Sequence, residues 1–185
     1  MALEHEIKVP VRSLAVVRDR LRASVATLRH GETFEENWVL DDGERSIAAR
    51  GCLLRVRRWG AQSYLTYKGP ARFSAGVKTR EEIETTVGDP EVVLRALAAL
   101  GFAPHRRYQK RRELWELSGV AVTLDATPMG GFVELEGPPE TIPAVAAALG
   151  LDPAHAVAGT YLHLWEEYRA AHPDAPADMV FAPDA

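Results

Sequence analysis

The sequence predicts an α+β protein: eight antiparallel strands closed into a barrel, with a charged interior and flanking helices. Three observations predict it. Apolar and polar residues alternate with period two, or show strand-like composition, in eight segments, against about four segments of helical period. Most links between neighbouring strand segments are short, which suits antiparallel pairing. And one face of nearly every strand carries full charges.

Leu3, Ile7 and Val9 alternate with Glu4, Glu6 and Lys8, giving a first strand that Pro10 is expected to break. Ser13 is placed to cap a helix with apolar residues at Leu14, Val17, Leu21, Val25 and Leu28, closed by Gly31. A short strand at 33–41 meets a turn at Asp41-Asp42-Gly43 and an irregular return. Strands at 52–58 and 63–68 flank the turn at Gly60, and another covers 77–87. Asp89-Pro90 starts a helix on Val93, Leu94, Leu97 and Leu100, which Gly101 ends. Strands at 107–117, 120–126 and 131–137 are split by Ser118-Gly119 and by Pro128 to Gly131. Helices at 141–149 and about 160–171 follow. Residues 1–172 are expected to form one domain, and 173–185, with three prolines and three aspartates, a disordered tail.

Composition narrows the function. Among 185 residues, 46% are apolar and 26% charged, which excludes collagen-like, low-complexity and wholly disordered chains. Lys and Arg total 22 against 26 Asp and Glu, a net charge of −4 that disfavours nucleic acid as partner. The single cysteine, Cys52, excludes an internal disulfide framework and a cysteine zinc site. No apolar run approaches the ~20 residues of a membrane span, and the N-terminus lacks the features of a signal peptide. A cytoplasmic protein is the default expectation. A homodimer is compatible with the sequence but nothing in it indicates one.

The two faces of the strands differ sharply. Ile7, Leu54, Val56, Leu65, Tyr67, Val122, Leu124, Val133 and Leu135 share the apolar face, which helices should cover. The other face carries seven carboxylates (Glu4, Glu6, Glu82, Glu84, Asp125, Glu134, Glu136) and eight bases (Lys8, Arg55, Arg57, Lys68, Lys78, Arg80, Lys110, Arg112). A polar sheet face is ordinarily solvated. Three details point elsewhere: nearly every position is a full charge and half of the bases are Arg; acids mark the first and last strands and bases the middle ones, with both on the 77–87 strand; and eight strands suffice to close a barrel. Charges lining a lumen would be costly without a charged guest. A phosphate chain meets the bases, since Arg forks match phosphate oxygens. Oxygen-only carboxylate donors suit Mg2+ or Mn2+. Glu4 and Glu6, two apart on one strand, point the same way and can share an ion, and Glu134 and Glu136 repeat the geometry.

These residues also carry a family pattern. Glu4-His5-Glu6-Ile7-Lys8 resembles the Glu-x-Glu-x-Lys opening of the CYTH superfamily, the triphosphate tunnel metalloenzymes. In order follow Leu54-Arg55-Val56-Arg57, Tyr67-Lys68-Gly69-Pro70, Arg80-Glu81-Glu82-Ile83-Glu84, Gln109-Lys110-Arg111-Arg112, Val122-Thr123-Leu124-Asp125 and Phe132-Val133-Glu134-Leu135-Glu136-Gly137. Thr160-Tyr161-Leu162-His163-Leu164 is similar to the closing Ser-Tyr-x-x-Leu segment, with Thr in place of Ser. The resemblance spans about residues 3–168 and looks closest to bacterial class IV adenylyl cyclase-like members. A second departure is Glu36-Asn37-Trp38-Val39-Leu40-Asp41, where members often have Asp-x-Tyr-Tyr/Phe-Asp.

The resemblance implies a tunnel that binds a triphosphate with one or two divalent metals, in enzymes that include inorganic and thiamine triphosphatases, RNA triphosphatases and class IV adenylyl cyclases. By position it implies Glu4, Glu6, Asp125, Glu134 and Glu136 as the metal set. Lys8, Arg55, Arg57, Lys68, Arg80, Lys110 and Arg112 are the implied phosphate set, with Glu4, Glu6, Lys8 and Arg57 nearest the chemistry. Three functions stay open at this point: metal-dependent triphosphate hydrolysis, cyclisation of ATP to cyclic AMP and diphosphate, and non-catalytic polyphosphate or nucleotide binding. Trp38, Trp59 or Tyr161 could stack on a base, though core or rim packing is the ordinary role for each. Cys52 reads as packing, His5 as facing the helix side, His163 as a packed or exposed helix residue, and Arg106, Arg107 and Arg111 as a basic run with a solvated Arg111. Gly130-Gly131 is a hairpin turn and not a phosphate loop, because no helix follows closely.

Overall fold

The computed structural model describes residues 2–74 and 77–182; the side chains of residues 2–4, 73, 74, 77 and 78 lie outside the described set. Its strands are β1 (Ala2–Val11), β2 (Thr27–Asp41), β3 (Leu53–Trp59), β4 (Gln62–Lys68), β5 (Arg72–Ser74), β6 (Val77–Val87), β7 (Ala103–Leu117), β8 (Val120–Thr127) and β9 (Gly130–Glu136). They run in the order β1-β9-β8-β7-β2-β3-β4-β6, and β6 pairs back onto β1, with Glu4 opposite Arg80 and Glu6 opposite Lys78. Eight antiparallel strands therefore close as the sequence predicts. The short β5 adds to β6 from outside the ring order; three residues are too few to show a period.

Five helices flank the barrel: α1 (Leu14–Arg22), α2 (Ser46–Ala49), α3 (Pro90–Ala99), α4 (Ile142–Ala148) and α5 (Tyr161–Ala171). The apolar outer face of β1, β9 and β8 (Ile7, Val9, Val133, Leu135, Val122, Leu124) is buried with Val17 and Leu21 of α1 and Ile142 and Val145 of α4. On the opposite wall Val56 is fully buried, whereas Leu54, Leu65 and Tyr67 are half-buried, because α3 lies there with no buried residue. A second core forms where inward-facing Val39, Tyr108 and Phe132 meet Tyr161 and Trp165 of α5.

Several local expectations change. Pro10 does not end β1: it lies opposite Phe132 of β9, beyond the stretch that pairs with β6, so its other edge needs no donor. Helix α1 stops at Arg22, not near Gly31. The Ser24 hydroxyl donates to the Leu21 carbonyl (2.8 Å) and accepts from Ala26 N (3.1 Å), a local alternative to helix. Residues from Thr27 then pair with β7, leaving Val25 88% exposed. Ser13 occupies the N-cap position without a side-chain capping bond. Where an irregular return is expected at 47–49, Ser46–Ala49 form α2, with Asp41 accepting from the amides of Ile47 and Ala48 (both 2.9 Å). Asp89 caps α3 by accepting from Glu91 N (2.8 Å), as its sequence indicates.

The segment expected to be a disordered tail is docked. Met179 is fully buried and bridges to Tyr108 of β7. Gln109 N donates to the Met179 carbonyl (2.8 Å), Met179 N to the Arg107 carbonyl (3.1 Å), and Arg107 N to the Asp178 carboxylate (2.8 Å). Trp165 Nε1 donates to the Pro176 carbonyl (3.1 Å), tying the segment to α5. Residues 183–185 lie outside the described set.

Candidate active site

Alternation aims one face of each strand into the barrel. Lys8 (β1), Arg55 and Arg57 (β3), Lys68 (β4), Arg80 (β6), and Lys110 and Arg112 (β7) all line a single cavity of about 310 Å³. All seven bases of the predicted phosphate set thus converge. Glu6, Glu82, Glu84, Glu134 and Glu136 line the same space, with Tyr108 of β7 and Thr160, Tyr161 and Leu162 at the start of α5. Thr160 fixes that start by accepting from His163 N (3.2 Å). The side chains of Glu4 and Lys78 lie outside the described set; on the backbone, Glu4 sits two residues from Glu6, opposite Arg80.

Register turns the interior into cross-strand ion pairs. Lys8 lies opposite Glu134 and contacts it at 3.2 Å. Lys68 lies opposite Glu82 and contacts it at 2.8 Å. Arg112 lies opposite Asp125 and forks onto it at 2.7 and 2.6 Å, and it also binds Glu134. Lys110 reaches the same Asp125 at 3.0 Å, and the Tyr161 hydroxyl donates to it at 2.7 Å. Glu84 accepts from Arg57 (2.8 Å) and from the Thr66 hydroxyl (2.7 Å), with Arg55 3.5 Å away. Arg80 Nε donates to the Gly69 carbonyl (2.9 Å), which points its guanidinium along the wall. The Lys8 and Lys110 ammonium groups lie 4.2 and 4.7 Å from the centre of the Tyr161 ring.

The electrostatics follow from burial and neighbours. Burial opposes charge on Arg55 and Arg112, yet both stay firmly protonated: Tyr108, Glu35 and Glu84 outweigh it at Arg55, and Asp125, Glu134 and Glu35 at Arg112. Burial, then the charges of Asp125 and Glu134, push the Tyr161 hydroxyl well above its ordinary range, so it remains a donor.

Sequence reasoning missed Glu35. It is fully buried on β2, opposite Lys110 of β7, and does not line the cavity. Burial alone would raise its pKa from 4.5, but Lys110, Arg112, Arg57 and Arg55 overcome this and lower it to about 2. The available signal was Phe34-Glu35-Glu36-Asn37, which contains two adjacent acids of opposite facing; the outer one, Glu36, meets Arg58 (2.7 Å) and Arg107 (3.4 Å).

Of the five residues implied as metal ligands, two have cationic and hydroxyl partners in the lumen wall. Asp125 and Glu134 are held by Lys8, Lys110, Arg112 and Tyr161. Glu6 and Glu136 are direct cross-strand partners on β1 and β9. Like charges so placed are destabilising, and an all-oxygen donor pair beside Glu4 is chemically suited to a hard divalent cation. Among the described residues no group of three His, Cys, Asp or Glu is already assembled for a metal.

The minor candidates fall away from the cavity. Cys52 is half-buried, with Sγ 3.3 Å from the Tyr67 hydroxyl. His5 faces outward, Nδ1 3.0 Å from Thr79 Oγ1. His163 is exposed beside Glu167. Trp38 packs under Arg58 and Trp59 against His30, while Arg106 pairs with Glu166 and Arg111 lies over Phe181.

The structure is thus a closed antiparallel barrel with interior bases and carboxylates on one cavity. The CYTH domain matches residues 2–150, and the chain belongs to that family. It is 29% identical over 135 residues to a Methanocaldococcus jannaschii protein that carries the provisional name adenylate cyclase, covering 72% of this chain and 76% of that one. A Vibrio parahaemolyticus structure, also provisionally named adenylate cyclase, superimposes with a TM-score of 0.78 at 18% identity, over 89% of this chain and 98% of that one. A Hippeastrum protein described as a provisional adenylyl cyclase with a dominant triphosphatase activity gives a TM-score of 0.69 at 17% identity, over 89% and 96%. Among the described residues no helix is long and apolar enough to cross a membrane.

Proposed function

We propose that this protein is a divalent-metal-dependent triphosphatase, which binds a triphosphate along the barrel lumen and cleaves it with water. The observation that carries this reading is the convergence of seven bases and five carboxylates on one cavity. The seven bases give donors to the many oxygens of a triphosphate chain, which no neutral guest would use. Glu4, Glu6 and Glu136 would hold the cation, which supplies charge neutralisation and orientation to the phosphates. Asp125 and Glu134 act instead on the bases: they fix the heads of Lys8, Lys110 and Arg112 in the lumen wall. A carboxylate of the Glu4–Glu6 pair orients the attacking water and takes its proton; the water oxygen bonds to the terminal phosphorus as the bridging P–O bond breaks. The departing diphosphate keeps its negative charge against Arg55, Arg57, Lys68 and Arg80.

Cyclisation of ATP is the rival, favoured by the name of the Methanocaldococcus jannaschii relative. It needs a surface for the base. The aromatic residues on the cavity are already engaged: Tyr108 is packed in the second core with its hydroxyl on Arg55, and the Tyr161 ring lies under Lys8 and Lys110 with its hydroxyl on Asp125.

Incubation with inorganic triphosphate, thiamine triphosphate and ATP, under Mg2+ and Mn2+, decides between them. Orthophosphate release is expected; cyclic AMP as the main product would overturn the hydrolase reading. Glu6→Gln and Glu4→Gln are expected to lower turnover by at least about 100-fold while triphosphate still binds, and wild-type turnover in either would refute the assignment.

A further inference from the structure

Glu35 stands apart from the other interior acids. Its carboxylate is 3.6 Å from Lys110 Nζ, 3.8 Å from Arg57 Nη1 and 3.9 Å from Arg112 Nε. Each of those bases has a closer partner elsewhere: Asp125 at 3.0 Å for Lys110, Glu84 at 2.8 Å for Arg57, Asp125 at 2.6 Å for Arg112. Asn37 Nδ2 donates to Glu35 Oε1 (3.0 Å), and Oε2 is buried with no hydrogen-bond partner. Glu35 therefore acts on the three bases together, through charge, and not as half of a hydrogen-bonded pair. Its location adds a second distinction. Glu84 and Glu134 line the cavity, where an incoming anion competes with them for the same bases; Glu35 lies behind the bases, fully buried, where no ligand can replace it.

We infer that Glu35 is a positioning residue that limits how tightly the lumen holds its polyanion: a fixed negative charge behind Lys110, Arg112 and Arg57 that keeps their heads in place and lowers affinity enough for product to leave. This rests on the reading of the cavity as a triphosphate site. A cavity lined by seven bases risks retaining diphosphate as firmly as it binds substrate. One permanent buried anion weakens both by a similar factor, since its Coulomb effect across a few ångströms of protein is not screened as it is in water.

The test uses calorimetric binding of inorganic triphosphate at fixed Mg2+, with steady-state turnover, on the full chain. Glu35→Gln and Glu35→Met remove the charge at similar length; Glu35→Asp keeps it. Both neutral variants are expected to bind triphosphate at least about tenfold more tightly with a lower kcat, so kcat and KM fall together. Glu35→Asp is expected to stay near the wild-type affinity. Weaker or unchanged binding in whichever neutral variant folds, or equal loss in all three, would assign Glu35 a merely structural role and overturn the inference, as would failure of both neutral variants to fold. Wild-type protein that does not bind triphosphate would refute the reading of the cavity instead.

Discussion

Asp125 receives three donors at once, from Lys110, Arg112 and Tyr161, with no exposed surface. Removing its charge leaves two buried cations facing a neutral group, which costs about 3–5 kcal/mol. Asp125→Asn should lose that much in a denaturant titration, and a loss below about 1 kcal/mol would deny the network. Glu35 makes a pH-dependent case. Its pKa is lowered in the fold, from 4.5 to about 2, by surrounding cations that outweigh burial. The corresponding stability, about 3 kcal/mol, is fully present above pH 4.5 and is lost as pH falls toward 2. The gap between wild type and Glu35→Gln should therefore be constant near neutrality and close below pH 4.5; a gap that persists in acid would contradict the assignment. The two residues also mark what the sequence can reveal. Asp125 was legible because β8 alternates without interruption (Val120, Val122, Leu124 against Ala121, Thr123, Asp125). Glu35 was not, because β2 carries register shifts between Leu28 and Thr33 that reset its phase before the Glu35-Glu36 pair is reached.

Elements were legible where one physical signal acted alone. Strands β3, β4, β6, β8 and β9 lie within a residue of their predicted bounds, β7 starts four residues early at Ala103, the three-residue β5 was not predicted, and Asp89-Pro90 marked the start of α3. The failures are competitions. Apolar spacing through Leu28 favours a longer α1, but pairing with β7 claims residues from Thr27 onward. Proline and aspartate content favours a disordered C-terminus, but Met179 alone supplies a fully buried anchor between β7 and α5. Met179→Ala is expected to cost about 2–5 kcal/mol by leaving a cavity there, measured by denaturant unfolding. Because that core also contains Tyr161, whose ring and hydroxyl meet Lys8, Lys110 and Asp125, the variant should weaken triphosphate binding as well. Wild-type stability would show that the docking adds nothing.

At the scale of the whole molecule, closure is what converts an ordinary polar sheet face into a site. The same residues on an open sheet would be solvated, and their charges would be worth little to one another. The β1–β6 pairing brings Glu4 and Arg80, far apart in sequence, into register, and the wall then carries bases from five strands onto one space. Helices cover much of the apolar outside, most completely on the β1–β9–β8 wall.

Thermal unfolding with and without inorganic triphosphate, at fixed Mg2+, tests the ligand of that lumen most directly. At about 100 times Kd, binding adds roughly 2.7 kcal/mol, which for a chain of this size raises the melting temperature by roughly 5–10 °C. A rise of that order in the wild type, reduced in Lys68→Gln, is the predicted result. An unchanged melting temperature across millimolar triphosphate would contradict it.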